Sequence, residues 1–155
     1  MAVFTRQTKV RAPLADVWAF HSTIDGLVEL TPSLANLAVE DVRTPDGGEL
    51  LLEGSEIDLS LGPIPGGPRQ RWTSIIVERE ETDSEAFFVD EMADGPMAHW
   101  RHTHRFVASD GGTRVIDHVE YETGYGAAVD RALKPGFALA FGYRHRKTRE
   151  KLSGA

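Results

Sequence analysis

The sequence contains no cysteine among its 155 residues. Disulfide bonds, thiolate metal sites and cysteine nucleophiles are therefore excluded. The first ten residues, MAVFTRQTKV, alternate apolar and polar side chains and do not join a basic segment to an apolar one. This pattern is typical of a strand and not of a secretory signal, so we expect a cytoplasmic protein.

Long apolar runs and positive charge are also scarce. No stretch approaches the roughly 20 apolar residues of a membrane-spanning helix, so no membrane span is expected. The 17 lysines and arginines are outnumbered by 24 acidic residues, which gives a net charge of −7. Since the basic residues form no patch interleaved with aromatics outside the last helix, nucleic acid is not expected as a partner.

The chain has the length of one well-buried domain and is too short for two, so a single domain over residues 1–155 is expected. Alternation of apolar and polar side chains, the pattern of half-buried strands, recurs along it. The predicted strands cover residues 3–11, 34–43, 48–61, 71–80, 85–92, 95–109 and 113–124.

Helical spacing appears in two places. Residues 13–32 follow the first strand, and we predict two short helices there, separated at Asp25-Gly26. The pattern becomes helical again after Gly126 and continues almost to the end of the chain. Pro135-Gly136 is expected to kink or restart this last helix near its beginning.

The stretch HWRHTHRF, residues 99–106, raises the question of function. Alternate residues of a strand share a face, and the more apolar set is expected to face inward. With Asp110-Gly111 as the centre of a hairpin turn, Arg101 lies opposite Glu120, a favourable pairing of charges on the outer face. The same register predicts these inward pairs: Trp100 with Tyr121, His102 with Val119, His104 with Asp117, and Phe106 with Val115.

Three interpretations of the inward histidines remain open. Asp117 could orient His104 and raise its basicity, as a general base requires. The two residues could instead simply satisfy each other in the core. His102 and His104 could also chelate a metal with Asp117 or His21, but no further carboxylate follows at the usual spacing, so we expect neither metal nor cofactor.

The other histidines are predicted to lie on the surface. His99 and His118 fall on the outer faces of their strands in this register. His145 belongs to the basic stretch RHRKTREK, residues 144–151, where cations suit the end of a helix.

The sequence resembles the SRPBCC superfamily, which includes START-type lipid-binding domains and polyketide cyclase/dehydrase proteins. The resemblance spans essentially the whole chain and is carried by APLADVWAFHSTIDGLVELTP, DEMADGPMAHWRHTHRF, GGTRVIDHVEY and FGYRHRKTREKL. It implies an α+β helix-grip fold, in which a seven-stranded antiparallel sheet curves around a long C-terminal helix.

This resemblance also implies a cavity between the sheet and the last helix, with the loop at residues 62–68 near its mouth. Arg144 is a candidate partner for a carboxylate or phenolate. The cavity-wall residues that the resemblance implies are Trp18, His21, Trp72, Phe88, Trp100, His102, His104, Asp117, Tyr121, Phe137, Phe141 and Arg144.

Three functions compete at this stage. The first is binding of a hydrophobic small molecule such as a lipid, polyketide or aromatic metabolite. The second is a cyclase or dehydratase in which His104 and Asp117 remove a proton, while His102, Tyr121 or Arg144 stabilises the enolate. The third is contact of the basic helix end with an acidic protein. The sequence leaves open whether the protein forms a homodimer.

Overall fold

A curved antiparallel sheet of seven strands forms the framework of the protein. The computed structural model describes residues 1–153. The predicted α+β architecture is confirmed. The strands are β1 (Ala2–Val10), β2 (Leu37–Arg43), β3 (Glu56–Leu61), β4 (Gln70–Glu81), β5 (Glu85–Ala93), β6 (His99–Ser109) and β7 (Gly112–Glu122). Within the sheet they lie in the order β1-β7-β6-β5-β4-β3-β2. The helices are α1 (Leu14–His21), α2 (Ile24–Glu29), α3 (Ala127–Ala132) and α4 (Lys134–Leu152), with a 3-10 turn at Ser33–Ala35.

The hairpin of β6 and β7 has the predicted register. Ser109 pairs with Gly112, so Asp110 and Gly111 are the two central turn residues, and Gly111 has a positive φ of 76°. All the inward pairs follow from this turn, and Arg101 lies opposite Glu120. The Arg101 guanidinium nevertheless binds Glu91 on β5 and Glu78 on β4.

The two short helices are divided earlier than predicted. α1 ends at His21 and α2 begins at Ile24, so Asp25-Gly26 lies inside α2. A Cβ atom on Gly26 would stand 1.9 Å from the carbonyl oxygen of Phe20. The glycine therefore allows the two helices to approach closely and does not separate them.

Three strands begin later than predicted, among them β6, which begins at His99 and not at residue 95. Pro32 is followed by the 3-10 turn, so β2 begins at Leu37. β3 begins at Glu56 because the preceding segment is irregular. In that segment the Leu51 N–H donates to Ser22 O, and Gly54 N–H donates to Ile76 O.

α4 lies across the sheet and closes its concave side. The helical region restarts at Leu133, and Pro135 falls in the first turn of α4, where its missing N–H is tolerated. The buried side chains of α4 are Phe141, His145 and Thr148. None of the helices described in residues 1–153 is long and apolar enough to cross a membrane.

Candidate functional site

Three histidines and two aspartates meet under α4 on the inner face of the sheet. His102 and His104 come from β6, Asp90 from β5, Asp117 from β7 and His145 from α4. Adjacent strands bring the first four together, because Asp90 pairs with His102 and His104 pairs with Asp117 in the sheet register. We call these five residues the His/Asp cluster.

The hydrogen bonds of the cluster differ from the predicted pairing of His104 with Asp117. His104 Nε2 lies 2.6 Å from Asp90 Oδ2, whereas its Nδ1 is 3.5 Å from Asp117 Oδ1. The two Asp117 oxygens instead form hydrogen bonds with His102 Nε2 at 2.7 Å and with His145 Nε2 at 2.6 Å. His104 therefore turns its Nε2 toward β5, where its ring also stacks on Phe88 with centroids 4.0 Å apart.

Burial and hydrogen bonding fix the charges of the cluster. Burial lowers the pKa of His104 to about 4, so its ring is neutral at pH 7. Burial would raise the pKa of Asp117, but the hydrogen bonds from His102 and His145 outweigh it and hold that pKa well below its usual range. Burial likewise opposes ionisation of Asp90, but His104 holds its pKa below the usual value. Both carboxylates are therefore ionised and accept hydrogen bonds from the rings.

Sequence reasoning missed two members of the cluster. The surface position predicted for His145 is wrong, because only 2% of this residue is exposed. Its spacing of four residues from Phe141 and three from Thr148 places it on the buried face of α4. Asp90 was not singled out, although strand alternation puts it on the same face as Phe88.

A small cavity of about 60 Å³ lies beside the cluster. Four of the predicted wall residues line it: His21, Phe88, His104 and Arg144. The remaining lining residues are Thr23, Leu27, Leu30, Leu51, Ile57, Ser74, Ile76 and Asp90. The loop at residues 62–68 does not line this cavity, which is bounded by α1, α2, β3, β4, β5, β6 and α4.

The other predicted wall residues occupy different places. Trp18 is buried under the Arg79 guanidinium, whose central carbon lies 4.2 Å from the indole centroid. Trp72 lines a groove with Asp58, Arg71 and others. His102 and Asp117 belong to the His/Asp cluster. The rest form an aromatic cluster with Phe4: Trp100, Tyr121, Phe137 and Phe141.

Two cavity residues have unusual polar environments. Burial lowers the pKa of His21 to about 3, despite its hydrogen bond to Val17 O. Its Nδ1–H donates that bond, which leaves Nε2 as an acceptor. Arg144 has a buried Nε without a hydrogen-bond partner among residues 1–153. The cavity therefore offers a neutral imidazole and an incompletely paired guanidinium.

Comparison with known proteins places this architecture in a family. Residues 10–141 match the model of the family described as polyketide cyclase/dehydrase and lipid transport. The chain belongs to that family. The resemblance to SRPBCC helix-grip proteins is thereby confirmed, and family membership accounts for the sheet curved around a long C-terminal helix.

Solved structures share the fold of this polyketide cyclase/dehydrase and lipid transport family member at low sequence identity. Protein Ms6760 from Mycobacterium smegmatis has a TM-score of 0.70 at 16% identity, over 99% of this chain and 91% of its own. Ara h 8.0201 has a TM-score of 0.58 at 16% identity, over 95% of this chain and 97% of its own. These identities establish the fold alone.

A biosynthetic protein is also similar. The di-domain ARO/CYC StfQ from the steffimycin biosynthetic pathway has a TM-score of 0.66 at 14% identity, over 95% of this chain and 49% of StfQ. A comparison with proteins of curated function found no match.

Proposed function

We propose that the protein binds a small, largely hydrophobic molecule in the cavity between the sheet and α4. The observation that carries this proposal is the cavity itself, where aliphatic side chains surround a few converging polar groups. The aliphatic wall would hold the apolar part of the ligand. Arg144, with its unpaired Nε, would bind an acidic group such as a carboxylate or phenolate.

The size of the cavity restricts the ligand. A volume of about 60 Å³ has room for a few water molecules, whereas pockets for drug-sized ligands measure about 300–1,000 Å³. A polyketide or lipid would therefore have to displace part of the wall. The α2 side, formed by Thr23, Leu27 and Leu30, would move, because this short helix is held by no sheet hydrogen bonds.

Catalysis by a His104 base has less support from the geometry. Both nitrogens of this ring lie beside carboxylates, Nε2 at Asp90 and Nδ1 at Asp117. A general base must have a nitrogen within hydrogen-bond reach of the proton that it removes. Binding is therefore preferred to a cyclase or dehydratase reaction initiated by His104.

A matched pair of fluorescent probes tests the binding proposal. 8-Anilinonaphthalene-1-sulfonate carries an anionic group, and N-phenyl-1-naphthylamine is its uncharged analogue. Ser74→Val adds apolar volume to the cavity, while Thr103→Val makes a similar change outside the cavity lining. We expect both probes to bind with micromolar dissociation constants, and Ser74→Val to weaken both at least tenfold.

Arg144→Met separates the two contributions. This variant keeps an unbranched side chain but removes the guanidinium, so we expect weaker binding of the sulfonate probe and unchanged binding of the neutral one. Failure of both probes to bind would overturn the proposal. Equal binding by wild type and Ser74→Val would also overturn it, because the probes would then occupy another surface.

A further inference from the structure

The ring nitrogens of His102 and His104 all lie near carboxylate oxygens. Besides the two hydrogen bonds described above, His102 Nδ1 is 3.7 Å from Asp90 Oδ2, and His104 Nδ1 is 3.5 Å from Asp117 Oδ1. Each ring therefore has one nitrogen toward Asp90 and the other toward Asp117. The two rings also face each other, with centroids 3.6 Å apart.

We propose that Asp90, His102 and His104 bind a divalent transition metal ion, with zinc the best match. Their ligand atoms all lie within 4.8 Å of one another, and all three residues are buried. In a tetrahedral site, ligand atoms about 2.0–2.2 Å from zinc stand about 3.3–3.6 Å apart. His102 Nδ1 and Asp90 Oδ2, 3.7 Å apart, are close to that spacing, whereas His104 Nε2 and Asp90 Oδ2, now 2.6 Å apart, would have to separate by somewhat less than about 1 Å to admit the ion. Imidazole nitrogens favour zinc over magnesium and calcium, which prefer oxygen ligands.

Asp117 supplies the support that metal-binding histidines require. A histidine that binds a metal commonly donates its other N–H to a carboxylate, which fixes the tautomer and the ring orientation. His102 already donates Nε2–H to Asp117, and its Nδ1 lies 3.7 Å from Asp90 Oδ2, on the side where the metal would bind. His145 holds the second oxygen of Asp117.

His104 would adopt the same arrangement by moving one proton between its ring nitrogens. Without metal, Nε2–H donates to Asp90. With metal, the ion occupies the Nε2 side and the proton sits on Nδ1, facing Asp117 Oδ1. The ring stays neutral in both states, so no net proton is released by this step. The His104 Nδ1 to Asp117 distance would have to shorten from 3.5 Å.

The charges of the site favour a dication. Asp90 and Asp117 bring two carboxylates to the cluster, and among residues 1–153 no lysine or arginine nitrogen lies within 4.0 Å of either of them. Buried charges are stable when they are paired or when they bind a metal. Trp100 Nε1–H donates to the other Asp90 oxygen at 3.3 Å, which leaves Oδ2 directed toward the histidines.

The cavity gives the proposed ion an open side. Asp90 and His104 line it, so a fourth ligand would come from water or from a small molecule there. Three protein ligands with one open position are typical of zinc sites that act on a substrate, whereas structural sites are closed by four. This inference does not require the ligand binding proposed above.

Titration of EDTA-treated protein with Co²⁺, followed by visible absorption, tests the site directly. We expect one equivalent to bind with the intense absorption of low-coordinate cobalt, and Zn²⁺ to displace it. His102→Gln and Asp90→Asn should each weaken Zn²⁺ binding at least 100-fold. Asp117→Asn should weaken it about 10–100-fold, because Asp117 positions the ligands without touching the metal.

His118→Gln is the matched control, since this histidine is exposed on the outer face and bonds to Thr5. Its variant should bind like the wild type. Absence of a saturable equivalent in the wild type would overturn the site, as would normal binding by both His102→Gln and Asp90→Asn.

A measurement on the unmodified chain covers the case in which a variant fails to fold. In protein with ¹⁵N-labelled histidine, Zn²⁺ should shift the ring signals of His102 and His104 and leave those of His99 and His118 unchanged. Shifts confined to His99 and His118 would mean binding outside the His/Asp cluster and would overturn the proposal. No probe of the cavity enters these experiments, so their failure is distinguishable from failure of ligand binding.

Discussion

The concave face of the sheet has two unlike halves on either side of the His/Asp cluster. In the aromatic half, Tyr121 and Phe137 meet edge to face at 4.8 Å, and Phe4 lies 5.4 Å from Phe141. Tyr121 is fully buried, and its hydroxyl donates to Asp130 O. In the cavity half, aliphatic side chains from α2, β3 and β4 leave the space of about 60 Å³.

The two halves differ in the side chains that face each other. Aromatic rings on α4 pack against aromatic rings of the sheet in one half, whereas mostly aliphatic side chains line the cavity in the other. His102 touches the aromatic half through Phe141, and His104 touches the cavity half through Phe88. The cluster therefore lies where filled core gives way to open space, which is the place where a buried polar group can reach a ligand.

Shortening a buried side chain should destabilise the protein more in the aromatic half than in the cavity half. Phe141→Ala removes a ring that is 5% exposed and leaves a void in close-packed surroundings, so we expect a loss of about 3–5 kcal/mol in the free energy of unfolding. Leu27→Ala, at a half-buried position on the cavity wall, should cost about 1 kcal/mol. Urea denaturation measures both values. Similar losses would mean that the two halves are equally well packed.

Lowering the pH should destabilise the folded protein through His21, which lines the cavity. In the folded protein the pKa of His21 is about 3, below the ordinary 6.5. Below pH 6.5 the unfolded chain therefore binds a proton at His21 that the folded chain does not bind. The contribution of the neutral His21 to the free energy of unfolding is fully present above pH 6.5 and is lost as the pH falls toward 3. At pH 5 the expected loss from His21 is about 2 kcal/mol.

His21→Gln isolates this effect in metal-free protein. Urea denaturation at pH 7.5 and pH 5 should show a fall that is about 2 kcal/mol smaller in the variant than in the wild type. His104, with a pKa of about 4, contributes to the fall in both proteins and cancels in the difference. His118→Gln should keep the wild-type fall. An unchanged fall in His21→Gln would show that His21 is protonated in the folded protein.

Local sequence signals were sufficient for the hairpin that carries two of the cluster histidines. Asp110-Gly111 is a two-residue turn, and such a turn sets the register of every pair along β6 and β7. His104 therefore faces Asp117 in the backbone ladder as predicted. The side-chain bond between them was not predictable, because His104 turns toward a residue on β5.

The non-local members of the cluster needed the folded structure. Asp90 meets β6 only when β5 pairs with it, and His145 arrives from a helix about 30 residues further along the chain than Asp117. The charge pattern also suggested the wrong position for His145, since RHRKTREK is basic as a whole although its His145 and Thr148 are buried and its Arg144 lines the cavity. Charge shows which side of a helix can be solvated, but the spacing of Phe141, His145 and Thr148 determines its buried face.

Filling the cavity should produce the smallest change in the free energy of unfolding, and this change should be an increase. Ser74→Val replaces a hydroxyl with two methyl groups at the cavity wall, on a strand where a β-branched residue is favourable. We expect the free energy of unfolding to rise by about 0.5–1 kcal/mol, as is common for cavity-filling substitutions. Thr103→Val, outside the cavity lining, should remain within about 0.5 kcal/mol of the wild type. A loss in Ser74→Val would show that this half is already fully packed, because an extra methyl group in a filled core forces strained side-chain conformations.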